Sequence, residues 1–125
     1  MKRTAYGVAG FLATGAAILM VVRQGASWWP LVVFAIFPDI SFLAGMSSRL
    51  ARGQLHPRAV PLYNALHRYW APGVLLAVSF GLAAGSAGSQ WAAGWLAAGL
   101  AWTAHISFDR SLGFGLRTPE GFQRT

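Results

Sequence analysis

The 125-residue sequence has no cysteine, which excludes a disulfide, a thiolate metal site and a cysteine nucleophile. Charge is also scarce: Asp, Glu, Lys and Arg make up 10% of the chain, against about 25% in soluble globular domains. Acid is scarcer still, with only Asp39, Asp109 and Glu120 carrying a carboxylate side chain. So few charges do not suit a soluble domain of this size, which leaves a large share of its surface in water. No G-x-S-x-G nucleophile elbow, phosphate-binding P-loop or dinucleotide fingerprint occurs.

What is present is apolar. Hydrophobic residues reach 55%, with six Trp and eight Phe. Four apolar segments, at about 4–22, 28–46, 62–84 and 90–110, each approach the roughly 20 residues that a membrane-spanning helix needs. The reading is one all-α domain over 1–125, an integral membrane four-helix bundle with a short interfacial C-terminal tail. Arg23 to Ser27 reads as a turn. Trp28-Trp29-Pro30 opens the second helix with interfacial aromatics and a first-turn proline. Residues 47–61, with three Arg and two Pro, read as a polar loop that leaves His56 at the surface, and 85–89 as a tight uncharged turn. Gly81 and Gly85 form a small-residue pair for helix packing. The first segment follows Lys2-Arg3 as a signal peptide would. Its apolar stretch is longer than a usual signal core and Arg23 interrupts the cleavage region, so it reads as a retained helix.

The net charge of +7 raises the question of nucleic acid, but no basic helix or stacking module supports that partner. The basic residues follow topology instead. With four crossings, one side carries Lys2, Arg3, Arg49, Arg52, Arg58, Arg68, Arg110, Arg117 and Arg124, and the other only Arg23. This asymmetry predicts that both termini face the cytoplasm.

Against that background Asp39 stands out. It lies inside the apolar run 31–43, where an ionisable group costs about 2.5–3.5 kcal/mol on insertion scales. The topology places Asp39 in the inner half of the second helix, His67 one to two turns into the third, and His105 and Asp109 in the last turns of the fourth. Two imidazoles and two carboxylates at one depth form an N/O donor set for a divalent metal, zinc first, with iron or manganese as alternatives. His105 and Asp109 are four apart and share a helix face, as do Asn64 and His67, three apart. Asn64 or Tyr63 orients a bound water or an oxyanion, and Pro38 frees backbone carbonyls next to Asp39. Each of these residues also has a plainer reading: Asp109 as a surface charge paired with Arg110 or Arg68, and a histidine as an interhelical hydrogen bond. Glu120 reads as a solvated tail residue, and Ser41 and Ser107 lie close by without the spacing of a triad.

Three stretches, Pro38-Asp39-Ile40-Ser41, Tyr63-Asn64-Ala65-Leu66-His67-Arg68-Tyr69 and Ala104-His105-Ile106-Ser107-Phe108-Asp109-Arg110-Ser111-Leu112-Gly113-Phe114-Gly115-Leu116, resemble a family of small bacterial membrane proteins known only as a domain of unknown function. The resemblance covers most of the chain, and it implies that Asp39, Tyr63, Asn64, His67, His105, Asp109 and Arg110 belong to the family signature. Arg68, Trp70 and the basic loop with His56 depart from the family pattern. The family supplies no activity; it implies a multi-pass protein of the bacterial inner membrane. A looser likeness, by helix count and His/Asp placement, is to membrane-bound metal-dependent hydrolases.

The expected function is a metal-dependent hydrolase. Asp39, His67, His105 and Asp109 hold the metal, Tyr63 or Asn64 orients the reacting oxygen, and Arg110 or Arg68 binds an anionic group of a lipid or small-molecule substrate at the cytoplasmic interface. Membrane lipid is a partner, and so is a second copy in a homo-oligomer. One alternative is a small oligomeric transporter or channel subunit that passes protons or cations; another is an accessory structural protein.

Overall fold

The computed structural model of the protein describes residues 1–47, 49–85 and 90–124. Among these residues six α-helices follow in chain order: α1 Lys2–Gln24, α2 Trp29–Ile36, α3 Ile40–Gly45, α4 Val60–Leu66, α5 Trp70–Ala84 and α6 Gln90–Leu112. They make four rods, because a 3-10 turn at Phe37–Asp39 joins α2 to α3 and a short break at 67–69 joins α4 to α5. The chain is therefore all-α, as the apolar segments predict. Among the described residues the only extended pairing is an isolated bridge between Arg117 and Gln123. Most of the turn expected at 85–89 lies outside the described residues.

Both breaks trace to proline. Pro38 has no N–H to return to Phe34, and the backbone tightens there into the 3-10 turn. Pro72 likewise leaves the Arg68 carbonyl without its helical donor and disfavours helical backbone just before it. The third segment is thus split where an unbroken helix over 62–84 is expected. The Arg68 carbonyl accepts from Ala71 N–H at 3.2 Å instead, and the two carbonyls before it at the break find partners on α6: Trp102 Nε1 donates to Leu66 O at 2.8 Å and Arg110 Nη2 donates to His67 O at 3.1 Å.

Helix α6 is the axis of the fold and packs against α1, α2 and α5. Its buried positions are mostly small, among them Ala92, Ala97, Ala98 and Gly99. Small side chains let backbones approach closely. A Cβ at Gly99 would stand 2.8 Å from the Leu76 side chain, and one at Gly10 would stand 2.9 Å from Phe108. Gly99→Val should therefore overpack the α5–α6 contact by about 1–3 kcal/mol. Thermal unfolding in detergent measures this, and an unchanged midpoint would mean that α5 is not seated on α6. Gly81 has open space around it, so among the described residues it packs against no neighbouring helix.

Helix directions follow from neighbours along α6. Arg3 lies against Gly113 and Gln90 against Gly25, so α1 is antiparallel to α6. Pro30 sits by Gly94 and Ala35 by His105, so α2 runs parallel to α6. Leu76 sits by Gly99 and Tyr69 by Ser107, so α4–α5 is antiparallel. The bundle runs up-down-up-down, and the start of α1 and the tail after α6 meet at one end.

The exterior is apolar and large. Phe11, Leu12, Val22, Trp28, Leu43 and Phe80 are each more than half exposed, while much of the interior is small, with many buried Ala residues beside a few large ones such as Tyr63 and Ile106. Among the described residues, helix α1 alone is long and apolar enough to cross a membrane, and the Trp29–Gly45 rod is shorter.

Residues after α6 form neither a surface helix nor a free loop. They fold under the bundle and pair with the 53–55 stretch: Leu55 N–H donates to Gly121 O at 2.9 Å, and Gln54 Nε2 donates to Glu120 O at 2.8 Å. The 47–61 loop is correspondingly less polar than its composition implies, because Leu55, Ala59 and Val60 join Tyr63 in a buried cluster.

Candidate metal centre

The two proline-linked breaks aim the polar residues. The Phe37–Asp39 turn points its amides three residues back instead of four, which leaves the Ala35 carbonyl without a helical donor. His105 Nδ1 donates to that carbonyl at 2.8 Å. His67 Nδ1 donates to Tyr63 O at 2.9 Å. A carbonyl can only accept, so both rings carry their hydrogen on Nδ1, and the neutral imidazole then presents a bare lone pair at Nε2.

Those two lone pairs converge with two carboxylates. His67 Nε2 lies 3.5 Å from Asp39 Oδ1 and 3.3 Å from Asp109 Oδ2. His105 Nε2 lies 3.5 Å from Asp39 Oδ1 and 3.6 Å from Asp109 Oδ2. The four ligand atoms all fall within 4.8 Å of one another. Both Nε2 atoms are buried and neither has a hydrogen-bond partner.

Two accounts of these distances can be compared by magnitude. Charge-assisted N–H···O⁻ bonds run about 2.7–2.9 Å, shorter than any of the four contacts. Ligand atoms placed tetrahedrally at zinc bond lengths of about 2.0–2.1 Å stand about 3.3–3.4 Å apart, close to the four N···O contacts, while the set as a whole is bounded at 4.8 Å. Two imidazole nitrogens and two carboxylate oxygens facing one another make a donor set that suits a cation. The hydrogen bonds from both Nδ1 atoms to backbone carbonyls are the outer partners that metal-bound histidines use to hold their tautomer.

The surrounding residues hold this arrangement. Tyr63, 1% exposed, stacks on His67 with ring centroids 3.9 Å apart, and His67 and His105 meet edge to face at 5.4 Å. Phe34 and Phe37 pack on Trp102, fixing the α2 turn against α6. Arg110, on α6, keeps the break after α4 in place through His67 O. Arg68 is exposed and forms no ion pair with Asp109 among the described residues.

Asn64 faces the tail. Its amide donates to Arg117 O at 3.0 Å and accepts from Arg117 N at 2.7 Å, so both ends of the side chain grip one residue. Asn64→Ala removes both bonds, and an unpaired buried group costs about 1–3 kcal/mol. Faster hydrogen exchange across 115–123 should follow, and unchanged exchange would show that Asn64 does not latch the tail.

Ser41 and Ser107 are buried and bond to carbonyls one turn back, at Pro38 and Thr103. His56 is half-exposed, and its Nδ1 accepts from Arg58 N at 3.2 Å, which caps the short turn before α4. Glu120 is exposed, and its carboxyl is held below the ordinary value by its own backbone N–H and by the Thr118 hydroxyl. Arg117 is the residue that the sequence reading misses. Composition places it among the solvated basic residues of the tail, yet it is 6% exposed.

Residues 5–125 match a family described as Domain of unknown function, DUF4260. The chain belongs to that family. No curated protein and no solved structure matches it. The match spans the helical bundle, the four converging side chains and the tail folded beneath them.

Proposed function

We propose that the chain is a multi-pass inner-membrane protein, with both termini cytoplasmic, that holds a divalent metal and hydrolyses a substrate at the cytoplasmic interface. The membrane reading is supported by the large apolar exterior over a small-residue interior, and by the concentration of Arg and Lys at the end where the chain begins and finishes. The observation that carries the metal reading is the pair of buried, unpartnered Nε2 lone pairs facing Asp39 and Asp109 at 3.3–3.6 Å. His67, His105, Asp109 and Asp39 are the ligand set, and zinc suits two imidazoles with two carboxylates.

A divalent ion held by these residues would supply Lewis acidity, lowering the pKa of a bound water to about 7. The protein's own groups do the rest. His67 and His105 stay fixed by their carbonyl partners. Asp39 has the more exposed carboxylate, with 44% side-chain exposure against 23% for Asp109. It would be the general base, accepting a proton from the attacking water and returning it to the leaving oxygen as the ester bond breaks. Tyr63 lines the same cavity as Asp39 and can orient the reacting oxygen.

Inductively coupled plasma mass spectrometry on detergent-purified protein should find one divalent ion per chain. Asp39→Asn should weaken metal binding and, at metal concentrations that restore occupancy, still abolish hydrolysis of a chromogenic phosphoester or carboxylic ester. A folded wild type without stoichiometric metal would end this reading.

One further observation favours a second function. Asp109 borders two separate cavities, one shared with His105 and the other with Asp39, so the cluster lies between them. A proton or cation relay could use that path. Flux into liposomes that depends on Asp39, in protein that retains no metal, would select the relay.

A further inference from the structure

The two cavities that flank the four-residue cluster differ in chemistry. One, of about 210 Å³, lies between α1, α2 and α6; Leu31, Ala101 and Phe108 line it and His105 and Asp109 close it. The other, of about 180 Å³, is bounded by Asp39, Tyr63, Asp109, Phe114, Arg117 and Gln123.

Arg117 is the unusual member. Its Nη1 donates to Gly53 O at 2.9 Å and to Gly121 O at 2.8 Å. Its guanidinium carbon lies 5.0 Å from the Tyr63 ring centroid and 5.4 Å from that of Phe42. Its Nε is buried without a partner. No ion pair of Arg117 occurs among the described residues, although Asp39 and Asp109 border the same cavity. Both of those carboxylates turn toward the histidines instead. Buried charges are ordinarily paired, and a planar guanidinium is suited to phosphate and carboxylate oxygens. With a divalent ion balancing Asp39 and Asp109, Arg117 leaves this cavity with one positive charge and no counter-ion.

We propose that Arg117 binds the anionic group of an amphiphilic substrate, a phosphate monoester or similar oxyanion on an apolar chain. Its apolar part occupies the cavity between α1, α2 and α6. This deepens the hydrolase reading and rests on it for the bound metal. Asp109 lines both cavities, so an oxyanion at Arg117 and an apolar chain against Leu31 and Phe108 would flank the same carboxylate.

The test is calorimetric titration of the detergent-purified protein with hexyl phosphate, inorganic phosphate and hexanol, with metal content measured on the same samples. Hexyl phosphate should saturate at one per chain, inorganic phosphate should bind at least ten-fold more weakly, and hexanol should give no signal. Arg117→Gln should weaken hexyl phosphate at least ten-fold with metal content unchanged. Because Arg117 also holds Gly53 and Gly121, Arg117→Lys serves as a variant that keeps the cation, and it should retain binding within a few-fold. Leu31→Trp, which fills the apolar cavity, should reduce hexyl phosphate to the level of inorganic phosphate. Metal-loaded wild type that ignores hexyl phosphate, or binds inorganic phosphate equally well, overturns the proposal, as does full affinity in Arg117→Gln. A wild type that binds hexyl phosphate through Arg117 but carries no metal sinks the hydrolase reading and leaves the anion site standing.

Discussion

Replacing His105 with alanine is expected to abolish the proposed metal binding. The substitution removes one of four donors whose atoms lie within 4.8 Å of one another. Loss of an outer hydrogen-bond partner costs about 10–100-fold in metal affinity, and loss of a donor itself should exceed about 100-fold. Purified His105→Ala should therefore carry almost no ion where the wild type carries one. Stability should follow occupancy: a ligand present at about 1,000 times its dissociation constant contributes about 4 kcal/mol. Chelation of the wild type should lower its unfolding midpoint, and chelation of His105→Ala should change nothing. If the histidine were only an interhelical hydrogen bond to Ala35, the loss would be about 0.5–1.5 kcal/mol, with no dependence on chelator. Mass spectrometry together with melting curves, each with and without chelator, separates the two outcomes.

The second large effect is expected at Gly121. Its φ is +99°, in the region that L side chains avoid, and an added Cβ would collide with the Leu55 carbonyl. Backbone strain of this kind costs about 1–3 kcal/mol, and relief requires the tail to move. Movement breaks two contacts at the Gly121 carbonyl, from Leu55 N–H and from Arg117 Nη1. Gly121→Ala should therefore release the tail from the 53–55 stretch, expose Arg117 and open the cavity beneath Asp39. Limited proteolysis should cut at Arg117, which is protected in the wild type. The α-helical circular dichroism should persist, because α1, α2, α5 and α6 do not depend on the tail. A protected Arg117 in this variant would show that the tail holds without Gly121.

Much of the architecture is legible along the chain, for a reason that particular residues show. Long apolar runs bounded by Arg23, Pro30, the Arg-rich stretch and Gly113 leave few alternatives to four helical rods, since the period of the core is local. The small-residue character of α6 is also visible as Ala92, Ala93, Gly94, Ala97, Ala98 and Gly99 in succession. The breaks are less legible. Pro38 announces its turn, but the split at 67–69 depends on Trp102 and Arg110 arriving from α6 to satisfy freed carbonyls.

The site divides in the same way. Asp39 and Asp109 are visible as acids in a chain with almost none, and His67 and His105 as polar residues inside apolar helices. Asn64 is visible as a polar neighbour of His67, but its direction is not, because a backbone partner 53 residues away decides it. Arg117 carries no local signal at all. Nothing distinguishes it from Arg110 or Arg124 until the tail folds under the bundle.

The sequence by itself determined an all-α chain of four apolar rods, and it singled out two acids and two histidines at one end of them. These follow from composition, spacing and chain direction, which act over a few residues at a time. Only the tertiary structure decided that four donor atoms converge with both Nδ1 hydrogens turned away, that Asn64 grips the tail, and that Arg117 is buried beside the acids without pairing to them. Those outcomes depend on contacts between residues tens of positions apart, whose geometry no local pattern specifies.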